Sequence, residues 1–364
     1  MIPTKIAGEI TSFTLDMVRF LCSQGVLLGH LFYFTKIDAG PLNGLASFCV
    51  LIFFVLSGFL ISTSLFHRLN TNEKYSFGSY FKDRFFRIYP PFVASLVFVL
   101  VLDVIGFLIT SQPFSISRYA FNFVINLLML QEFPLATYIN EHYMIEFFRF
   151  RYFGSNLPLW TIGIEWWMYM FFGVVVYLMS GRMRFRAFHY IILAFLTVTP
   201  LYFMLKAGRM ERGLSLYWFL GALITLIAGK VKPGQAFSGT LYCGLVLLIA
   251  GLLSFSTFGF ITSVLLFSTG LVLMVSVEKT EKFTFNSSLK NAGKFLAGYS
   301  YSLYLIHYPI LYFAIHVYQP ESKISTLLML CVIVNIIAII FAKLFEHSST
   351  KLKRAYENYR SGNH

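Results

Sequence analysis

Apolar residues along this chain come in long unbroken runs, separated by short polar, basic or aromatic stretches, with none of the strict alternation of a half-buried strand. Crossing a hydrocarbon core takes about 20 residues. On that requirement the runs predict spans at about 15–34, 44–66, 91–110, 159–179, 190–205, 214–229, 239–254, 260–277, 295–317 and 324–343. The expected fold class is therefore all-α, a polytopic transmembrane helical bundle of about ten spans. Lysine and arginine gather in alternate connections: Lys5, Arg68 to Arg87, Arg182 to Arg186, Lys230 and Lys232, Lys279 to Lys294, and the tail from Lys343. Far fewer lie in the others, so positive-inside bias puts both termini in the cytoplasm. The basic tail is expected to lie against anionic lipid.

One outer connection is longer, about 111–158. Its first part, RYAFNFVINLLMLQEF, is apolar but interrupted by Asn122 and Asn126, and reads as a half-span or an interfacial helix. Its second part, TYINEHYMIEFFRFRYFGSN, mixes aromatics with Glu141, His142, Glu146, Arg149 and Arg151. That composition suits either an aromatic interface belt or a surface that stacks on and hydrogen-bonds a sugar.

Composition narrows the class. With 57% hydrophobic and 12% charged residues among 364, and a mean hydropathy of +0.70, the chain is too apolar for a soluble domain. One transmembrane domain covering 1–364 is expected, with no additional soluble domain. The net charge of +13 sits in connections between spans, which points to topology and not to nucleic acid. Cys22, Cys49, Cys243 and Cys331 lie in apolar segments without paired or metal-ligand spacing, so neither disulfides nor a metal are expected. The first span carries polar groups and no small-residue cleavage pattern, and reads as retained.

Ionisable residues inside apolar runs stand out, because a charge at mid-bilayer costs about 2.5–3.5 kcal/mol on insertion scales. LDMVRFLCSQGVLLGHLFYF, 15–34, holds Asp16, Arg19 and His30. Arg19 and His30 are eleven residues apart, which returns a helix to within about 20° of its starting face and separates them by about 16 Å along the axis. One face thus offers a cation in the inner part of the span and an imidazole near its outer end. Asp16, at i, i+3, could pair with Arg19 structurally. Arg84 and Arg87 share a face just before Pro90 and Pro91, at the inner mouth of the third span, where a forked guanidinium suits phosphate and positive-inside topology suits any basic residue. Glu165 lies about two turns into the fourth span. Ser300, Tyr304 and His307 form a single stripe on the ninth. His30, Glu165 and His307 could converge outward of the arginines, where an imidazole can accept a hydroxyl proton and a carboxylate can orient or charge it.

These segments resemble the membrane-bound acyltransferase family three, in its order: Arg, ten residues, His in the first span; FFVLSGFLIS at 53–62; RFFRIYPPF at 84–92; LWTIGIEWWMYM at 159–170; GYSYSLYLIHYPI at 298–310. The resemblance implies that Arg19 and His30 are the catalytic signature and that Arg84 and Arg87 are the family's Arg-x-x-Arg. Two departures are visible. The family's Asp-Gly-Leu-Arg reads Asp16-Met17-Val18-Arg19. Its paired glutamates read Glu165-Trp166, so only Glu165 is carried over.

The expected function is an integral O-acyltransferase of the bacterial inner membrane, multi-pass, moving an acetyl group from cytoplasmic acetyl-CoA to a hydroxyl of a cell-surface polysaccharide or lipid-linked glycan. His30, Glu165 and His307 are the expected catalytic residues, and Arg19, Arg84 and Arg87 the groups for the acyl-CoA cosubstrate. Asp16, Trp160, Ser300 and Tyr304 are expected to contact substrate. Membrane lipids, acyl-CoA and a glycan acceptor are the expected partners, with no nucleic acid. The rival is a transporter or flippase of a sugar-containing substrate, since buried Arg, His and Glu also mark relays. Its usual cue, paired broken helices in two repeated halves, is not visible in the sequence.

Overall fold

The computed structural model describes residues 8–111, 116–131, 133–135, 138, 151–183, 186–205, 213–230, 237–277, 286–318 and 324–361. Among the described residues the regular structure is helical, with no strand. The helices are α1 (Glu9–Thr35), α2 (Leu45–Thr71), α3 (Phe77–Thr110), α4 (Ile116–Leu127), α5 (Trp160–Met179), α6 (Ala187–Leu205), α7 (Leu214–Lys230), α8 (Phe237–Leu253), α9 (Phe260–Val277), α10 (Ser287–Gly298), α11 (Ser300–Tyr318), α12 (Ile324–Phe341) and α13 (His347–Ser361). A π-helical turn, Ala342–Glu346, joins the last two. Six stretches among the described residues are long and apolar enough to cross a membrane: Glu9–Thr35, Gly40–Thr71, Phe77–Thr110, Leu157–Met179, Ala187–Met204 and Ile324–Tyr356. Leu214–Ala228, Tyr242–Leu253 and Phe260–Ser276 are shorter apolar helices.

Two elements differ from the sequence pattern in instructive ways. The third expected span starts at about residue 91, yet α3 begins at Phe77, capped by the Ser76 hydroxyl accepting from the Ser79 amide at 3.3 Å. The added turns carry Phe81, Phe85 and Tyr89 at i, i+4, i+8. Phe81 and Tyr89 meet the Trp166 ring edge-on at 5.7 and 4.9 Å, and Phe85 stacks on both. This aromatic face carries the helix through Pro90 and Pro91, although their missing N–H groups leave the Phe86 and Arg87 carbonyls without helical donors. The ninth expected span is likewise split at Tyr299, into α10 and α11.

The chain forms two compact units. One comprises the chain up to Gly29, Ala39–Tyr75 and Phe203–Gly298, and so includes α2, α7, α8, α9 and α10. Its α2 and α7 touch backbone to backbone: a Cβ on Gly58 would overlap the Trp218 carbonyl, and one on Gly221 the Val55 carbonyl. The seam is tied by Ser62 and Thr225, whose hydroxyls lie 2.7 Å apart. Close approach at small residues with polar ties is how helices associate where lipid offers no hydrophobic gain.

The other unit comprises His30–Asp38, Ser76–Tyr202 and Tyr299–His364. Here α11 packs against α3 and α12, and α13 lies along α3. Pro309, inside α11, has no N–H for the Leu305 carbonyl four residues back. The Asn156 side chain donates to that carbonyl at 2.7 Å instead. The Tyr80 hydroxyl donates to the Tyr169 carbonyl at 3.0 Å, fixing α3 on α5.

Candidate active site

The second unit brings the two expected histidines together. His30, in the last turns of α1, places Nδ1 3.0 Å from Nε2 of His307 on α11, and the rings stack with centroids 5.1 Å apart. His307 is 1% exposed. Its Nδ1 lies 3.0 Å from the Leu303 carbonyl and 2.9 Å from the Tyr304 carbonyl. Carbonyl oxygens only accept, so this nitrogen carries the proton. In a neutral imidazole the other nitrogen is then bare, and His307 Nε2 must accept. His30 Nδ1 therefore donates, and the lone pair of His30 resides on Nε2. Two backbone carbonyls thus dictate, through one buried ring, which nitrogen of the second ring is basic. Tyr308 meets His30 edge-on at 5.0 Å, and Phe34 in turn meets Tyr308 at 4.9 Å, walling the pair with aromatic surface.

Glu165 lies on α5, in the same unit as the two imidazoles. It accepts a hydrogen bond from the Tyr169 hydroxyl, one turn along α5. Tyr304 packs its ring 5.9 Å from that of His307 and shares a 2.6 Å hydrogen bond with Thr161. Ser300 is buried at the start of α11, and Trp160 opens α5.

The arginines fall into separate environments. Asp16 and Arg19, on the part of α1 belonging to the first unit, approach to 3.8 Å, a loose ion pair. Arg84 sets its guanidinium 5.7 Å over the Tyr80 ring, and its buried Nε has no hydrogen-bond partner among the described residues. An orphaned guanidinium donor fits an anion such as a phosphate. Arg87 donates to Glu346 at 2.8 Å and is 46% exposed, which leaves further donors of its fork for a ligand.

Glu141, His142, Glu146 and Arg149, the candidate sugar-contacting residues, lie outside the described residues. Sequence reasoning missed Tyr308 and Phe34 as the wall of the imidazole pair, Asn156 as the donor for Leu305, and Glu346 as the partner of Arg87. For Asn156 a signal existed, since Pro309 inside an apolar run announces an orphaned carbonyl. For Glu346 it was the lone carboxylate just past the last apolar run.

A hydrogen-bonded imidazole pair with one ring buried and the other half-buried, among apolar helices and with guanidinium donors on a neighbouring helix, marks a helical membrane protein whose interior holds groups capable of acid–base chemistry. A family model described as an acyltransferase domain, that of acyltransferase family 3, matches residues 13–343, and the chain belongs to this family. It is a membrane acyltransferase. No curated protein and no solved structure matches the chain.

Proposed function

We propose that the protein transfers an acetyl group from cytoplasmic acetyl-CoA to a hydroxyl of a cell-surface polysaccharide or lipid-linked glycan, as an O-acetyltransferase of the bacterial inner membrane. The observation that carries this reading is the His30–His307 pair, whose ordered hydrogen bond leaves the lone pair of His30 on Nε2. Acetyl-CoA supplies the acyl group as an activated thioester. His30 Nε2 takes the acceptor's hydroxyl proton as that oxygen attacks the acyl carbon, so a C–O bond forms while a C–S bond breaks. The proton then passes from the His30 imidazolium to the departing sulfur. While His30 is cationic its Nδ1–H bond to His307 becomes charge-assisted and roughly twice as strong, which stabilises the state in which charge develops. His307 is thus a positioning residue acting through His30.

Glu165, held by the Tyr169 hydroxyl, is the carboxylate that in this reading favours the transient imidazolium. Arg84 and Arg87 hold donor phosphates, supported by the orphaned Nε of Arg84 and the remaining donors of Arg87. Arg19, loosely paired with Asp16, enters this reading as a further donor group on the strength of the family's Arg and His signature. Trp160, Ser300 and Tyr304 contribute to substrate contact from α5 and α11.

Titration of purified protein in lipid nanodiscs with acetyl-CoA tests this reading against transport. Saturable binding that weakens at least tenfold in Arg84→Ala is expected. Absence of acetyl-CoA binding by well-folded wild type would remove the donor from the account and leave a transporter as the better description.

A further inference from the structure

Past the last long apolar helix a carboxylate turns inward while its apolar neighbours face out. Leu344 and Phe345 are 58% and 40% exposed, whereas Glu346 beside them is 5% exposed. The cause is the π-helical turn Ala342–Glu346. An inserted residue in such a turn rotates the downstream residues by about 100° relative to a continuous α-helix, and π turns of this kind frequently occur at functional sites. The rotation takes a carboxylate that would face out and seats it among α3 and α11.

There Glu346 makes two directed contacts. One oxygen receives Arg87 Nη1 at 2.8 Å and the other receives the Ser302 hydroxyl at 2.8 Å. Arg87 is also 5.9 Å from the Tyr301 ring, so its guanidinium is confined between the C-terminal segment and α11. Anchoring of the C-terminal helix does not require this carboxylate. Lys353 pairs with Asp83 at 2.6 Å, and Phe86 packs on Tyr356 at 5.8 Å, both clamping α13 to the start of α3. An ion pair with one buried member is also a poor way to gain stability, because apolar replacements of a buried charge are often as stable or more so. Retaining one here is better explained by what it does to the arginine. The family match ends at residue 343, three positions before this carboxylate.

We infer that Glu346 is the positioning residue for donor binding: it fixes one edge of the Arg87 guanidinium so that the remaining edge is presented to a phosphate of acyl-CoA. Through Ser302 it also ties that arginine to α11, the helix that bears His307 five residues further on. The inference rests on the donor reading of Arg84 and Arg87. Pre-setting a long, rotamer-rich side chain removes the ordering cost that the anion would otherwise have to offset on binding.

The test is a double-mutant cycle on acetyl-CoA affinity, measured calorimetrically with the full chain in nanodiscs for wild type, Glu346→Gln, Arg87→Ala and the pair combined. Glu346→Gln is expected to weaken binding about fivefold and Arg87→Ala about tenfold or more, with the double variant no weaker than Arg87→Ala alone. In transfer assays the Glu346→Gln defect should fall on KM for acetyl-CoA far more than on kcat, a split that loosened packing would not produce. If Glu346→Gln does not accumulate, Ser302→Ala, which withdraws only the second ligand of the carboxylate, should weaken binding about threefold. Wild-type affinity in Glu346→Gln or Ser302→Ala, or losses that multiply in the double variant, overturns this inference alone. No binding by the wild type overturns the donor reading and this inference with it.

Discussion

Replacing His307 by alanine removes the acceptor that selects the His30 tautomer, and the size of the effect follows from the geometry. The bond is neutral to neutral, 3.0 Å long and buried on the His307 side. Such bonds contribute about 0.5–1.5 kcal/mol net, toward the upper end where water is excluded. Losing about 1.4 kcal/mol of bias between tautomers lowers the competent fraction about tenfold. Freedom of the His30 ring to swing adds misplacement, which for a reacting group can cost up to about 100-fold. His307→Ala should therefore slow acetyl transfer by about 10- to 100-fold. His30→Gln, which deletes the base, should slow it by about 10²–10⁴-fold. Because His307 acts through His30, the double variant should be no slower than His30→Gln alone, within about twofold. Initial rates would be measured with purified variants in proteoliposomes and normalised to folded protein. Losses that multiply in the double variant, or a His307→Ala rate within about twofold of wild type, would refute the tautomer reasoning.

Other consequences can be checked by thermal unfolding in detergent. Arg87→Ala leaves the Glu346 carboxylate buried without its cation and should destabilise near the low end of about 3–5 kcal/mol, since Arg87 is half-exposed; adding Glu346→Gln should recover most of that loss. Asn156→Leu orphans the Leu305 carbonyl beneath Pro309, and should cost about 1 kcal/mol, the low end of the usual range because the Oδ1 it removes has no partner among the described residues. Pro309→Ala in the same background, by restoring an N–H, should reverse the effect. Gly221→Ala forces α2 and α7 apart at the Val55 carbonyl and should cost about 1–3 kcal/mol.

Much of the helical plan was readable from apolar runs, because a chain in lipid must satisfy its backbone internally and the run lengths record that demand. Boundaries were less readable where aromatic residues continued a helix beyond its apolar run, as Phe81, Phe85 and Tyr89 do at the start of α3. Charged residues in apolar surroundings marked Arg19, His30, Glu165 and His307 as candidates from composition alone. Which of them touch was not legible: the 3.0 Å approach of His30 to His307 joins residues 277 apart in sequence. Helical phase could place Glu165 on α5 but not reveal that Tyr169, one turn along the same helix, donates to it. The tail was the least legible part, since its basic composition suggested only a strip against anionic lipid. A single π turn, invisible to periodicity, carries Glu346 inward there.

The most direct test of the central claim is the mass of envelope glycans from cells lacking this protein and complemented either with wild type or with His30→Gln shown to insert at the same level. The account predicts that wild type restores the acetyl increment and that His30→Gln leaves the glycans unmodified. Glycans acetylated to wild-type extent in cells carrying His30→Gln would contradict it.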